Sequence, residues 1–259
     1  MDQPVLLTER RGHLSILRMN RPEARNALNP ELMAAMGRAI LEAEEDPEIR
    51  CVVLTGNGDR AFCAGMDLRS FAEGGKAAPG SEDAVKAFGR FMGGSGTTVP
   101  IVGAANATAV AGGFELLLGC DVVVASEAAK FGLPEAKRGL MAVGGGVLLA
   151  SRIPLAVALE LNLTGDTIDA QRAYELGLVN RVVPADQVLD QAVALAEAIA
   201  ANGPLALQGA RLIVRAGAED MGRARQLLAE WQPRIFRSAD AKEGALAFVE
   251  RREPVWRGE

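Results

Sequence analysis

Histidine and the larger aromatics are scarce in this chain: its 259 residues include one His, one Tyr and two Trp. A Ser-His-Asp or Cys-His hydrolase would have to use His13, and no Gly-x-Ser-x-Gly elbow accompanies it. His13 falls in a turn, where a bland polar role is the simpler reading. Histidines cannot build a metal site here either. The three cysteines, Cys51, Cys63 and Cys120, are odd in number and far apart, with no Cys-x-x-Cys pair. Zinc and a disulfide framework are therefore not expected, and a reducing cytoplasm is the simplest setting. The chain also lacks a Gly-x-x-x-x-Gly-Lys-Ser/Thr phosphate loop, and Gly56-Asn57-Gly58 is a turn rather than a dinucleotide fingerprint.

Basic runs are missing as well. Lys and Arg number 28 against 33 Asp and Glu, a net charge of -5, which argues against a nucleic-acid partner. Met1-Asp2-Gln3-Pro4 has no basic start followed by an apolar stretch, so no secretory signal is expected. The nearest thing to a membrane span, Val99–Ser126, contains Glu115 and Asp121 and is broken by Gly103, Gly112, Gly113 and Gly119. Each acid would cost roughly 2.5–3.5 kcal/mol at a bilayer centre. A buried water-soluble core is the better reading, and it makes both acids conspicuous, because a charge in an apolar interior needs a reason.

What is present is an apolar half (49%), rich in small residues, sufficient for a sizeable core. Val5–Glu9 and Leu14–Met19 read as a hairpin around Arg11-Gly12-His13. Asn29 and Pro30 form a cap and first position for a helix to about Glu45. Cys51–Thr55, Pro100–Ala104 and Asp121–Ala125 are short apolar strands of the kind buried on both faces. Met66-Asp67-Leu68 opens a short helix, Phe71–Gly80 reads as a mobile loop, and Glu82–Met92 as a helix. Beyond Gly145 the chain turns helical, with spans near Gly145–Ser151, Pro154–Leu163, Ala170–Leu176, Gln187–Ala201, Pro204–Ala216, Met221–Arg237 and Ala241–Arg251. Val179–Val183 is the one late strand candidate. Strands alternating with helices, then a helical tail, indicate an α/β core with an appended helical module.

Carboxylates carry the chemistry that remains. Glu115 follows Gly112-Gly113-Phe114 at the start of a leucine-rich helix, and Glu135 follows Phe131-Gly132-Leu133-Pro134 where a loop turns into a helix. Each alone could be a first-turn acid favouring the helix dipole. Together, two acids held by Gly/Pro-shaped loops in an apolar region suit an acid/base pair, because burial and a like charge separate their titrations. The amides at Gly112-Gly113 and Ala64-Gly65-Met66 could stabilise an oxygen acquiring negative charge, or these could be tight packing turns.

Three blocks, Ala61-Phe62-Cys63-Ala64-Gly65-Met66-Asp67-Leu68, Ala111-Gly112-Gly113-Phe114-Glu115 and Phe131-Gly132-Leu133-Pro134-Glu135, resemble in order and spacing those of the enoyl-CoA hydratase/isomerase (crotonase) family. The likeness continues through Leu163-Thr164-Gly165-Asp166 and Gly177-Leu178-Val179 to Asp240-Ala241-Lys242-Glu243-Gly244 and Arg251-Arg252-Glu253-Pro254. The resemblance implies an α/β, crotonase-like spiral of ββα units over residues 1–200. A C-terminal helical trimerisation region over 201–259 would follow, giving a homotrimer or dimer of trimers. It implies an acyl-CoA thioester substrate, no cofactor beyond the coenzyme A that the substrate carries, and no metal. Carried over by position, the backbone N–H groups of Met66 and Gly112 form an oxyanion hole, and Glu115 and Glu135 are the catalytic pair. Arg25, Ala27, Ala64, Asp67 and Leu68 border coenzyme A. Both glutamates together favour hydration or dehydration. The alternatives are a carnitinyl-CoA dehydratase-like enzyme, which the Leu133–Leu140 stretch resembles, an enoyl-CoA isomerase, or more remotely an RNA-binding homologue, which the acidic Glu31–Glu45 helix disfavours.

Overall fold

The apolar strand segments assemble side by side in a computed structural model that describes residues 3–74, 80–94 and 96–259. Strands β1 (Leu6–Arg11) and β2 (Leu14–Met19) form the expected antiparallel hairpin. The sheet continues in parallel through β3 (Cys51–Gly56), β4 (Ile101–Ala105), β6 (Val122–Ser126) and β9 (Arg181–Val183). Parallel neighbours require a crossover, and the helices supply it. Helix α1 (Pro30–Glu45) lies between β2 and β3, and its Asn29 cap accepts a 2.9 Å bond from the Leu32 N–H. Helices α2 (Leu68–Ala72) and α3 (Glu82–Met92) join β3 to β4.

The β4–β6 crossover holds the two-residue β5 (Ala109–Val110) and α4 (Gly112–Gly119). The longest crossover runs through β7 (Lys130–Gly132), α5 (Leu149–Arg152), α6 (Leu155–Thr164), β8 (Thr167–Asp169) and α7 (Ala170–Glu175). The tail is α8 (Val188–Ala200), α9 (Pro204–Glu219), α10 (Met221–Phe236) and α11 (Ala239–Glu250). Of the expected loop Phe71–Gly80, the first two residues end α2, and residues 75–79 lie outside the described residues.

Both faces of the sheet are covered. Val52, Leu54, Ile101 and Val123 face one core with α1, α3 and α4, while Cys51, Val53, Val102 and Val124 face a second built on α8. Period-two alternation thus sends neighbours in β3 to different cores, which is why the strand reads as continuously apolar. The thiols of Cys51, Cys63 and Cys120 are buried and unbridged, and burial pushes each up to about 12. They pack as small apolar groups.

A small second sheet, ordered β5-β7-β8, has no counterpart in the sequence reading. Its strands span two or three residues, too short for an alternating pattern to show. It matters because it ties the β4–β6 crossover to the β6–β9 crossover. Each crossover leaves the carboxyl end of a parallel strand, the end at which open α/β sheets gather their binding loops.

Candidate active site

Four consecutive crossovers each deliver one block to this end of the sheet. After β2, the chain turns through Arg25 and Asn26, both with positive φ (53° and 54°). Asn26 is fully buried; its Nδ2 donates to the carbonyls of Asn57 and Ala61, both at 3.0 Å, and its Oδ1 accepts from the Arg21 N–H. The Arg21 guanidinium donates to the Ala27 carbonyl and, at 3.0 Å, to Asp67 Oδ2. These bonds lock the turn after β2 to the loop after β3. Asp67 also caps α2 through the Ser70 N–H; that bond and Arg21 hold its carboxyl below the usual range. Of the other residues expected to border coenzyme A, Arg25 and Leu68 are exposed, Ala64 is half-buried, and Ala27 is buried with its carbonyl engaged by Arg21.

Met66 and Gly112 come together. Leu28 donates to the Gly65 carbonyl (2.8 Å) and Asp67 donates to the Leu28 carbonyl (2.9 Å), so the Met66 amide faces away from the Leu28 backbone. A side-chain carbon placed on Gly112 would lie 3.8 Å from Met66 N and 3.6 Å from Gly65 Cα. Gly113 is pressed closer still: a Cβ there would meet the Cys63 carbonyl oxygen at 2.1 Å. Only glycine allows this approach of α4 to the Cys63–Gly65 loop. Ala111, just before α4, has φ 53° and ψ -135°, a conformation that costs an L-residue on the order of 1–3 kcal/mol. Its N–H donates to the Gly132 carbonyl (2.9 Å), and the β5–β7 ladder holds it there.

That ladder carries one glutamate toward the other. Phe114, beside Glu115, packs its ring 5.7 Å from that of Phe131 in β7, a tilted contact worth about 0.5–1.5 kcal/mol beyond area burial. Glu115 is 4% exposed, and its Oε1 accepts from the N–H groups of Gly145 (2.6 Å) and Gly146 (2.8 Å). Both acceptor positions of Oε1 are thus engaged, and Oε2 is the oxygen left for chemistry. Glu135 sits, as expected, where a loop turns into a helix: it is in the first turn of a short 3-10 helix, Pro134–Arg138, which Gly139 with φ 66° ends. Its Oε2 is buried without a hydrogen-bond partner. Desolvation raises the Glu135 carboxyl, and the nearby Glu115 charge raises it further. Two acids with unlike surroundings are thus brought within each other's field, one held by amides and one inclined to keep its proton.

The family model described as enoyl-CoA hydratase/isomerase matches residues 9–259. The chain belongs to that family. EchA19, an enoyl-CoA hydratase of Mycobacterium tuberculosis, is 43% identical over 258 residues, covering 97% of this chain and 96% of the relative. A carnitinyl-CoA dehydratase of Proteus mirabilis is 38% identical over the full length of both chains. The crystal structure of an enoyl-CoA hydratase from Mycobacterium tuberculosis H37Rv superposes with a TM-score of 0.91 at 41% identity, covering 99% of this chain and all of that one. The enoyl-CoA hydratase/isomerase fold is therefore the fold of this protein.

Three features of the site escaped the sequence reading. Two are the bracing bonds that Arg21 and Asn26 make across the turn, although Asn26 lies within the stretch Arg25-Asn26-Ala27-Leu28 that resembles the family's coenzyme-A loop. The third is the Gly144-Gly145-Gly146 strap that grips Glu115. Its signal was the glycine triplet itself, since three adjacent glycines invite close backbone approach.

Proposed function

We propose that the chain is an enoyl-CoA hydratase, adding water reversibly across the 2,3 double bond of a trans-2-enoyl-CoA. One observation carries this reading: Glu115 is held by two amides on Oε1, beside a Glu135 whose buried Oε2 lacks a partner and whose carboxyl is raised. The Met66 and Gly112 amides receive the thioester oxygen. Glu115 takes a proton from water as its oxygen bonds to C3, and the C2–C3 π electrons move onto the thioester as an enolate. Glu135 gives its proton to C2, the enolate collapses, and the proton on Glu115 returns to Glu135 through solvent. Donors aimed at the enolate oxygen and a positioned base contribute about 2.7–4 kcal/mol and 10²–10⁴-fold respectively. The hydroxyl at C3 and the proton at C2 both arrive from the face that holds the two acids, so addition is syn. Coenzyme A arrives with the substrate, so the reaction calls for no further cofactor.

Arg25, Ala27, Ala64, Asp67 and Leu68 border the coenzyme, with Arg21 and Asn26 holding their loop. The division at residue 200 follows the end of α8, with α9–α11 as the assembly region. Leu228, Phe236, Phe248 and Val249 are exposed on α10 and α11, which supports a homotrimer or a dimer of trimers. Three free cysteines support a reducing cytoplasm. Among the described residues no helix is long and apolar enough to cross a membrane, and no cluster of metal-ligating side chains gathers. A dehydratase running the same step backwards on a carnitinyl-type substrate is the second reading, favoured by the end-to-end match to the Proteus mirabilis enzyme. Loss of the conjugated thioester absorbance of crotonyl-CoA tests the first reading. A panel of enoyl- and 3-hydroxyacyl-CoA substrates separates the two, and no turnover on any of them would overturn both.

A further inference from the structure

The carboxylate of Glu115 is held by a strap that has little grip of its own. Gly144, Gly145 and Gly146 have no side chains to anchor them, and glycine loses more conformational freedom on ordering than any other residue. What holds the strap lies behind it. A Cβ at Gly145 would meet the Met92 carbonyl oxygen at 2.7 Å and the Glu115 carbonyl oxygen at 3.3 Å, so the strap passes between the last turn of α3 and the backbone of α4. A Cβ at Gly144 would lie 2.5 Å from Met92 Cε and 3.1 Å from Glu115 Oε2. A Cβ at Gly146 would lie 2.5 Å from the Ala142 side chain and 3.4 Å from Leu133 Cδ1. Met92 is 9% exposed and packed in the main core, so its terminal methyl has limited room to retreat.

We propose that Met92 is a positioning residue for hydration: its side chain backs Gly144 and thereby fixes the amides that orient Glu115. Methionine suits the task because its unbranched thioether fills an irregular gap beside bare backbone. Helix α3 therefore contributes to catalysis although it supplies no group that touches substrate. The proposal rests on Glu115 acting as the base. If the strap drifts, Glu115 loses its aim toward water, while coenzyme A, held by other crossovers, binds as before. The effect belongs in kcat rather than KM.

The test uses the full-length protein and crotonyl-CoA, with variants Met92→Ala, Met92→Leu, Gly144→Ala and the double variant Met92→Ala/Gly144→Ala. Displacing a catalytic group by about 1 Å can cost 10²-fold, and a loosened strap moves Glu115 by less, so Met92→Ala is expected to lower kcat about tenfold with KM changed less than about twofold. Met92→Leu, which keeps most of the volume, stays within about threefold of the parent. Adding Gly144→Ala to Met92→Ala refills the space beside the strap and recovers at least half of the logarithmic loss. A parent-like kcat in Met92→Ala, or a double variant whose losses simply multiply, overturns the proposal. Glu115→Gln, run in parallel, separates the two failures. Full activity there removes the base itself, whereas an inactive Glu115→Gln beside a fully active Met92→Ala removes only the positioning role. If Met92→Ala does not fold, Met92→Val takes its place, with the same split between kcat and KM and the same rescue by Gly144→Ala deciding the outcome.

Discussion

Asp121, the second acid in the apolar Val99–Ser126 run, should bear heavily on stability. Its Oδ2 accepts from Arg211 Nε (2.8 Å) and the Ile101 N–H (2.8 Å), and its Oδ1 accepts from Arg215 Nε (2.7 Å). The Arg211 side chain is 6% exposed, and those of Arg215 and Asp121 are 18% exposed. Both arginines reach in from α9: Arg211 also donates to the Thr97 carbonyl, and Arg215 to the carbonyls of Gly94 and Gly119. One carboxylate therefore pairs with two guanidiniums that fasten the C-terminal helices to the ends of α3 and α4. Asp121→Ala strands both cations and orphans the Ile101 N–H. Breaking a buried pair from one side costs roughly 3–5 kcal/mol. At about 2–4 °C per kcal/mol for a chain of this size, the midpoint should fall by roughly 6–20 °C. Asp121→Asn keeps an acceptor for one arginine and should fall by less. Circular dichroism melts at a fixed scan rate and protein concentration read this directly. Because the network is sheltered, the loss should persist in 0.5 M salt, where exposed pairs fade. A midpoint for Asp121→Ala within about 2 °C of the parent would refute the reasoning.

Gly113→Ala places a carbon 2.1 Å from the Cys63 carbonyl oxygen, so α4 must retreat from the Met66 loop; hydration should fall by about 10²-fold or more as the two amides separate, measured as kcat/KM on crotonyl-CoA. The Glu135 carboxyl is raised in the folded protein by desolvation and by Glu115. The folded state therefore holds that proton more tightly than the unfolded chain, whose glutamates titrate near about 4.3. Stability should decline as pH climbs from that value through the raised folded one, and Glu135→Gln should abolish this decline in denaturant melts. The same sign places the alkaline limb of kcat/KM above the ordinary carboxylate range, because the acid must carry its proton; a limb at the ordinary glutamate value contradicts this. Arg21→Ala removes the brace on Asp67 and on the Ala27 carbonyl; it should raise KM several-fold with kcat nearly unchanged, as initial-rate kinetics will tell.

The long elements were legible because their patterns are local. Asn29-Pro30 announced α1, and the unbroken apolar run of β3 announced burial on both faces. Glu115 and Glu135 stood out because an acid among leucines and an acid after Gly-Leu-Pro have no packing reason to be there. The sequence did not disclose what depends on distant backbone. The Ala109–Val110 and Lys130–Gly132 strands are too short to carry a period, yet their pairing brings the two acids together. The grip of Gly145 and Gly146 on Glu115 spans about thirty positions and uses amides that every residue possesses. Asp121 looked as conspicuous as Glu115, and only its arginine partners, some ninety residues away, mark it as an acid engaged in holding the fold.

Steady-state hydration of crotonyl-CoA by Glu115→Gln and Glu135→Gln, with binding of a saturated acyl-CoA measured alongside, is the most direct trial of the paired-acid site. Each variant should lose about 10²–10⁴-fold in kcat while binding the saturated ligand as the parent does. Turnover near the parent rate in both variants would mean that these two carboxylates do not move the protons.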